Sequence, residues 1–248
     1  MRIIAGEFRS RRLLTPPDAL TTRPMPDRVR ESLFGILRGH TEGAAVFDAF
    51  AGTGSIGLEA VSRGASRCVF VERDRGSAQM LRANIEMLGA DDRCELVVGD
   101  ALGPGALARC PRPVHLVFMD PPYPLLLDAT GWRRVKAQLE QLIQRLDAGG
   151  FAVLRTPWPF VHRPPGEAPP EPPPTRRKRR KEERESDVEP EEWGEEVEIA
   201  GDDAEMGEPG AARGEAVDLA MEGAAGPETR VYHNMAVHLY MKRGNGER

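Results

Sequence analysis

The stretch that most limits what this chain can fold into is Val46–Gly57, Val-Phe-Asp-Ala-Phe-Ala-Gly-Thr-Gly-Ser-Ile-Gly. An apolar run with one acidic residue, Asp48, enters three glycines, Gly52, Gly54 and Gly57, and a helical pattern, Leu58-Glu59-Ala60-Val61, follows at once. A buried strand, a tight glycine turn and a helix start are how an open α/β sheet cradles a nucleotide-like ligand. The spacing Gly-x-Gly-x-x-Gly fits a nicotinamide dinucleotide as well as any other nucleotide. Which ligand it holds, and for what chemistry, has to come from the rest of the chain.

From Ala44 onward strands and helices alternate. Val46–Phe50 reads as the first strand and Cys68–Val71, ending in Glu72, as the second. Met80, Leu81, Ile85 and Leu88 recur at helical spacing up to Gly89. Glu95–Val98 is the third strand and Val114–Met119 the fourth, running into Asp120-Pro121-Pro122-Tyr123. Trp132–Leu146 reads as a helix, Asp147–Gly150 as a turn, and Phe151–Leu154 as the fifth strand. Near-continuous apolar strands with helices between them predict a doubly wound, mostly parallel α/β sheet buried on both faces. Met235, Val237, Leu239 and Met241 alternate within Arg230–Lys242, which predicts one more strand completing the sheet.

Ahead of the sheet, Arg2–Leu14 carries two short apolar runs around Gly6 and predicts a small β-hairpin or extended arm. Its Arg2, Arg9, Arg11 and Arg12 suit phosphate contacts, which carry affinity and orientation without sequence information. Arginines that keep an edge strand from aggregating would look the same. Pro26 and Asp27 suit the start of a helix, with Val29, Leu33, Ile36 and Leu37 as its apolar stripe. Arg28, Arg30 and Glu31 fall on the opposite face, the pattern of a wet side.

The formal charge of −5 would argue against a nucleic-acid partner, but it averages two unlike parts. Pro164–Glu228 carries 20 Asp/Glu against 8 Lys/Arg, which leaves 26 Lys/Arg against 19 Asp/Glu in the remainder. The folded part is therefore basic and compatible with a polyanion. The predicted organisation is a basic extension over 1–40, an α/β domain over 41–163 and 229–243, and a low-complexity, disordered insertion over 164–228. Three cysteines give no paired framework, and no apolar run approaches the ~20 residues of a membrane span. Glu7 and Arg9 interrupt any signal-like core. A cytoplasmic, monomeric protein without membrane or metal is expected.

Strand-end carboxylates narrow the ligand. Glu72 suits ribose hydroxyls, which nicotinamide dinucleotides and S-adenosyl-L-methionine share. Asp48, at the lip of the first strand, suits a cationic amine better than a pyrophosphate, and Asp100 could accept from an adenine amino group. Asp120, Pro121, Pro122 and Tyr123 follow the fourth strand, next to the point where strand order reverses and substrates bind. They fit methyl transfer to an exocyclic NH2 on a planar group. Asp120 would accept one N–H and the Pro121 carbonyl the other. That draws the nitrogen toward a tetrahedral geometry with its lone pair aimed at the methyl, while rigid prolines hold the presentation and Tyr123 stacks on the base.

On these residues the chain resembles the RsmD family of bacterial 16S rRNA guanine-N2 methyltransferases. The resemblance runs through Met1–Arg12, Arg23–Phe34, Asp48–Ala60, Glu72, Asn84, Asp120–Tyr123 and Val231–Tyr240, about three quarters of the chain. Its more particular blocks are Met-Arg-Ile-Ile-Ala-Gly at the start and Asp-Arg-Val-Arg-Glu-Ser-Leu-Phe at Asp27–Phe34. It implies a Rossmann-like methyltransferase fold and S-adenosyl-L-methionine held by Asp48, Gly52, Gly54, Glu72 and Asp100. It further implies a guanine at Asp120–Tyr123, and 16S rRNA or the assembling small subunit facing the arm with Arg23 and Arg28. Met25 stands where the family usually has threonine, Arg155 stands where an acidic residue is common, and the insertion is not part of the pattern. Adenine N6, a protein glutamine, or a non-catalytic RNA-binding assembly factor on the same fold are readings these residues leave open. The basic run Arg176–Lys181 could add phosphate contacts, or pair with the acids that follow it as a solvated linker.

Overall fold

The computed structural model describes residues 1–16, 25–162 and 215–244. Helix α1 (Asp27–Ile36) precedes five strands that alternate with helices: β1 (Ala45–Asp48), α2 (Ser55–Ser62), β2 (Arg67–Glu72), α3 (Arg75–Leu88), β3 (Cys94–Val98), α4 (Pro104–Arg109), β4 (Val114–Met119), α5 (Tyr123–Leu127), α6 (Ala129–Ile143) and β5 (Leu146–Pro157). Two short strands follow, β6 (Val161–His162) and β7 (Glu215–Ala216), then β8 (Ala224–Tyr232) and β9 (Met235–Lys242).

The main sheet has the order β3-β2-β1-β4-β5-β9-β8. Pairings among β1 to β5 are parallel; β9 runs antiparallel to β5, and β8 to β9. Strand order reverses between β1 and β4, so their carboxyl ends open on the same crevice. The expected doubly wound sheet is present.

Alternate strand residues serve opposite cores. Val46, Cys68, Phe70, Leu116 and Phe118 pack with α1, α2, α3 and the N-terminal arm. Phe47, Val69, Val71, Val117 and Met119 pack with α4 to α6. With both faces covered, every residue along β2 from Cys68 to Val71 is wholly buried, which is why these strands read as unbroken apolar runs.

The helices follow local signals. Asp74 caps α3 by accepting from Ser77 N–H at 2.8 Å, and Gly89 ends it in the left-handed region at φ 65°. Asp128 caps α6 by accepting from Gly131 N–H at 2.6 Å. Gly57 sits where α2 crosses β2. A Cβ there would lie 2.3 Å from Phe70 and 2.9 Å from Cys68 Sγ. Gly57→Ala should therefore cost about 1–3 kcal/mol, read as a lower melting temperature; an unchanged melting temperature would refute this close packing.

Some expectations are revised. Arg30 is not on a wet face but wholly buried. Strand β5 begins at Leu146, with its register to β4 shifting between Val114 and Leu116. The single expected C-terminal strand is a hairpin, since β8 precedes β9. β7 and the start of β8 fall inside the span assigned to the insertion. The segment Arg163–Gly214, with its basic run Arg176–Lys181, lies outside the described residues, and β6 pairs with β7 on either side of it.

Candidate active site

The glycine turn is tied down by the two carboxylates beside it. Asp48, the last residue of β1, accepts from Gly57 N–H through Oδ2 at 2.9 Å. Glu72, the last residue of β2, accepts from Gly52 N–H at 2.8 Å and from Asp74 N–H at 2.7 Å. Gly52 and Gly54 both have positive φ, 54° and 89°, where a side chain is strained. Gly54 is packed, since a Cβ there would strike Leu81 at 2.3 Å; at Gly52 nothing lies within 4 Å. The turn thus presents open backbone at Gly52 and a close-packed underside at Gly54.

Asp48 does not stand on an open lip. It is only 1% exposed, because the turn folds back over it to reach its carboxylate. Its Oδ1 is buried without a hydrogen-bond partner among the described residues. Burial is the main reason its pKa is pushed up to about 7; the Gly57 N–H opposes the shift, while Asp120 and Glu72 add to it. Asp100 lies past β3, half exposed, accepting from Leu102 N–H and pairing with Arg134 at 3.1 Å. Of the carboxylates read from the sequence, Asp48, Glu72 and Asp120 converge; Asp100 faces solvent farther out along the strand ends.

Asp120 directly follows β4, and its carboxylate is 13% exposed. Burial raises its pKa, and Arg155 pulls the other way. Pro121 is buried, exposed Pro122 caps α5, and half-buried Tyr123 opens that helix. Arg155, 6% exposed in β5, places Nε 2.5 Å from Asp120 Oδ1 and its guanidinium 5.4 Å from the centre of the Tyr123 ring. From the sequence Arg155 is only a departure from a family pattern. A lone charge inside Phe-Ala-Val-Leu-Arg-Thr was the available signal that it must have a buried partner.

The arm is anchored to the back of the glycine helix. Glu59, wholly buried on α2, accepts from Ile4 N–H at 2.7 Å and Ala5 N–H at 3.0 Å, and pairs with Arg63 at 2.7 Å and Arg30 at 3.7 Å. Arg30 in turn donates to the Arg2 carbonyl at 2.5 Å. Asn84 of α3 hydrogen-bonds both backbone groups of Leu14 and the Thr53 carbonyl, joining the arm to the turn. A single antiparallel bridge, Arg2 to Arg12, makes the arm an irregular hairpin. Arg2, Arg9, Arg11, Arg12 and Arg28 are exposed; Arg11 also donates to the Met87 carbonyl at 2.8 Å. Arg23 lies outside the described residues. Met25 is buried in the core beside the arm.

A family model described as conserved hypothetical protein 95 matches residues 1–153. The chain belongs to the RsmD family of methyltransferases. Escherichia coli ribosomal RNA small subunit methyltransferase D is 39% identical over 140 residues, 53% of this chain and 69% of that protein. Bacillus subtilis YlbH is 33% identical over 156 residues, 62% of this chain and 80% of the relative. Among solved structures, that of Escherichia coli yhhF shares the fold, with a TM-score of 0.63 at 23% identity over 98% of both chains. A hypothetical protein of Thermus thermophilus gives a TM-score of 0.57 at 25% identity, covering 96% of this chain and 98% of the other. The family and its rRNA small subunit methyltransferases were legible from the glycine turn, Asp120–Tyr123 and the N-terminal blocks.

Proposed function

We propose that this protein transfers a methyl group from S-adenosyl-L-methionine to the exocyclic N2 of a guanine in small-subunit 16S rRNA. The observation that carries the reading is the placing of Asp120-Pro121-Pro122-Tyr123 beside the glycine turn, at the point where strand order reverses. The relatives named as small-subunit rRNA methyltransferases support the substrate class.

The residues at the strand ends fit the cofactor. Backbone at Gly52 opens onto free space, Glu72 keeps lone-pair capacity for ribose hydroxyls, and the buried Asp48 side chain offers an unused acceptor beneath the turn that becomes negative above about pH 7. Asp100 would serve the adenine end. When bound, S-adenosyl-L-methionine supplies an electrophilic methyl on a sulfonium.

The guanine must leave its stack to reach Asp120, at a cost of a few kcal/mol that falls if the base already lies in a loop. Asp120 then accepts one N2–H and the Pro121 carbonyl accepts the other. Together they free the nitrogen lone pair from the ring and aim it at the methyl. Preorganised acceptors and positioning supply the rate, so Asp120 need not be a strong base. The methylated nitrogen is cationic and readily gives its proton to the Asp120 carboxylate. Tyr123 offers its ring to the base. Exposed Arg2, Arg9, Arg11, Arg12 and Arg28, with Arg23, would hold the phosphate backbone of rRNA or of the assembling subunit. The protein is proposed to act as a monomer in the cytoplasm.

The decisive measurement is mass-spectrometric mapping of N2-methylguanine in 16S rRNA from cells with and without the gene. One site should go from near-complete to absent modification and return on complementation. Unchanged N2-methylguanine, or loss of N6-methyladenine instead, would overturn the assignment.

A further inference from the structure

We propose that Arg155 is a positioning residue of the methyl-transfer site: reaching across from β5, it fixes the Asp120 carboxylate as a charged acceptor for the substrate N–H. The inference rests on the methyl-transfer reading above and assigns a role to a residue outside the glycine turn and the Asp120–Tyr123 segment.

Strand register makes the contact. Asp48 pairs with Phe118, and Met119 pairs with Leu154. One residue further along, Asp120, directly after β4, comes beside Arg155 of β5, and a single residue, Met119, separates Asp120 from Phe118 on the same sheet face. The pair is enclosed, with side chains 13% and 8% exposed, and Nε and Oδ1 lie 2.5 Å apart. A cation buried next to the apolar run Phe151–Leu154 is costly to desolvate, and taking away a charged partner makes it costlier still. Here one partner is the Asp120 carboxylate, which must stay both ionised and oriented.

The surroundings oppose that ionisation. From β1, the Asp48 side chain, its own pKa pushed up to about 7 chiefly by burial, faces Asp120 closely enough for its acidity to respond to it. From α5 the neighbouring titratable group is the Tyr123 phenol, beneath the Arg155 guanidinium. Burial also favours the neutral acid at Asp120. Among the described residues named around Asp120, Arg155 is the positive charge. A protonated Asp120 would present a donor where the mechanism needs an acceptor. A carboxylate has about four lone-pair positions, so pairing one oxygen with Arg155 leaves room for a substrate N–H. The guanidinium over the Tyr123 ring also ties the stacking residue to the acceptor through one side chain.

The test uses the full chain, its Arg155→Gln and Arg155→Lys variants, and two readouts. The first is the pH titration of the Asp120 13Cγ resonance in Asp-labelled protein, assigned by its absence from Asp120→Asn. The second is the pH profile of kcat for labelled methyl transfer to deproteinised 16S rRNA. Without Arg155, burial acts on Asp120 unopposed, so Arg155→Gln should move the Asp120 titration and the acid limb of the profile together to higher pH. The rate should be about 10-fold lower on the acid side and recover toward that of the parent at alkaline pH. Arg155→Lys keeps a charge but not the planar fork and should fall between the two. A merely structural residue would lower the rate equally at every pH. An unmoved Asp120 titration, or a uniform loss across pH, overturns the role. If Arg155→Gln does not fold, an Arg155→Lys profile that coincides with the parent's overturns it. Failure of the parent chain to transfer methyl to any RNA would instead overturn the reaction reading, and the positioning role with it.

Discussion

Asp120→Asn is expected to reduce methyl transfer to 16S rRNA about a thousandfold while leaving S-adenosyl-L-methionine affinity within a few-fold of the parent. Asparagine keeps the volume and one acceptor oxygen, but it cannot take the proton released by the methylated nitrogen and gives up the negative charge. The cofactor contacts proposed for Asp48, Gly52 and Glu72 lie on β1, the turn and β2, so their geometry does not depend on the Asp120 charge. The variant also removes the charged partner from the buried contact between Arg155 and position 120, so its melting temperature should fall. Cofactor titration calorimetry beside a single-turnover methylation assay separates the two effects. Full activity in Asp120→Asn would sink the acceptor role. Loss of cofactor binding in parallel with activity would place Asp120 in the cofactor site instead.

Asp48→Asn should divide stability from binding in the opposite sense. In the folded protein Asp48 holds its proton up to about pH 7, whereas in an unfolded chain an aspartate releases it near pH ~3.9. Between those values the folded form binds the extra proton, so this residue's contribution to stability is complete below the lower value and is lost as pH rises through the upper one. Across that window the loss amounts to at most about 4 kcal/mol. Asparagine carries no such penalty and can still accept from Gly57 N–H. The variant should therefore gain on the parent steadily from pH ~4 to ~7 and melt up to about 10 °C higher at pH 8. Above about pH 7, where the parent's Asp48 is ionised, it should also bind the cationic cofactor about 10-fold more weakly, because the negative charge beneath the turn is gone. Calorimetric melts at several pH values, with and without cofactor, measure both. A pH-independent difference between the two proteins would show that Asp48 is ionised well below neutrality.

Much of the fold was legible because both sheet faces are covered. Cys68–Val71 and Val114–Met119 read as strands since each of their residues is buried or nearly so. Strand β8 was not legible: it is an edge strand whose residues alternate in exposure, with Gly226-Pro227 at a register shift between Ala225 and Glu228. Proline is tolerated there because an edge strand or bulge has no ladder bond to lose. Without β9 as a template, nothing distinguishes such a segment from the low-complexity stretch before it.

The site divides along similar lines. The glycine turn and Asp120–Tyr123 are contiguous motifs, each with a local physical reason for its residue types. Arg155 and Glu59 act through partners 35 and 54–55 positions away in sequence, so their roles arise only when strand order and helix packing bring the partners together. Both nevertheless stand out as single charges in apolar segments. Arg30 was misread because its helical position is ambiguous until the arm with the Arg2 carbonyl covers it.

The pairing of β6 with β7 sets Val161 opposite Ala216 and His162 opposite Glu215. The segment between them thus begins and ends on neighbouring strands, about 5 Å apart, while the sheet register is held independently by β5 and β9. Length at this point is decoupled from the sheet: for a flexible connection in general, doubling its length costs only about 0.6 kcal/mol in closure entropy. A change in the length of what the clasp carries therefore needs no compensating change in the register of β5 and β9.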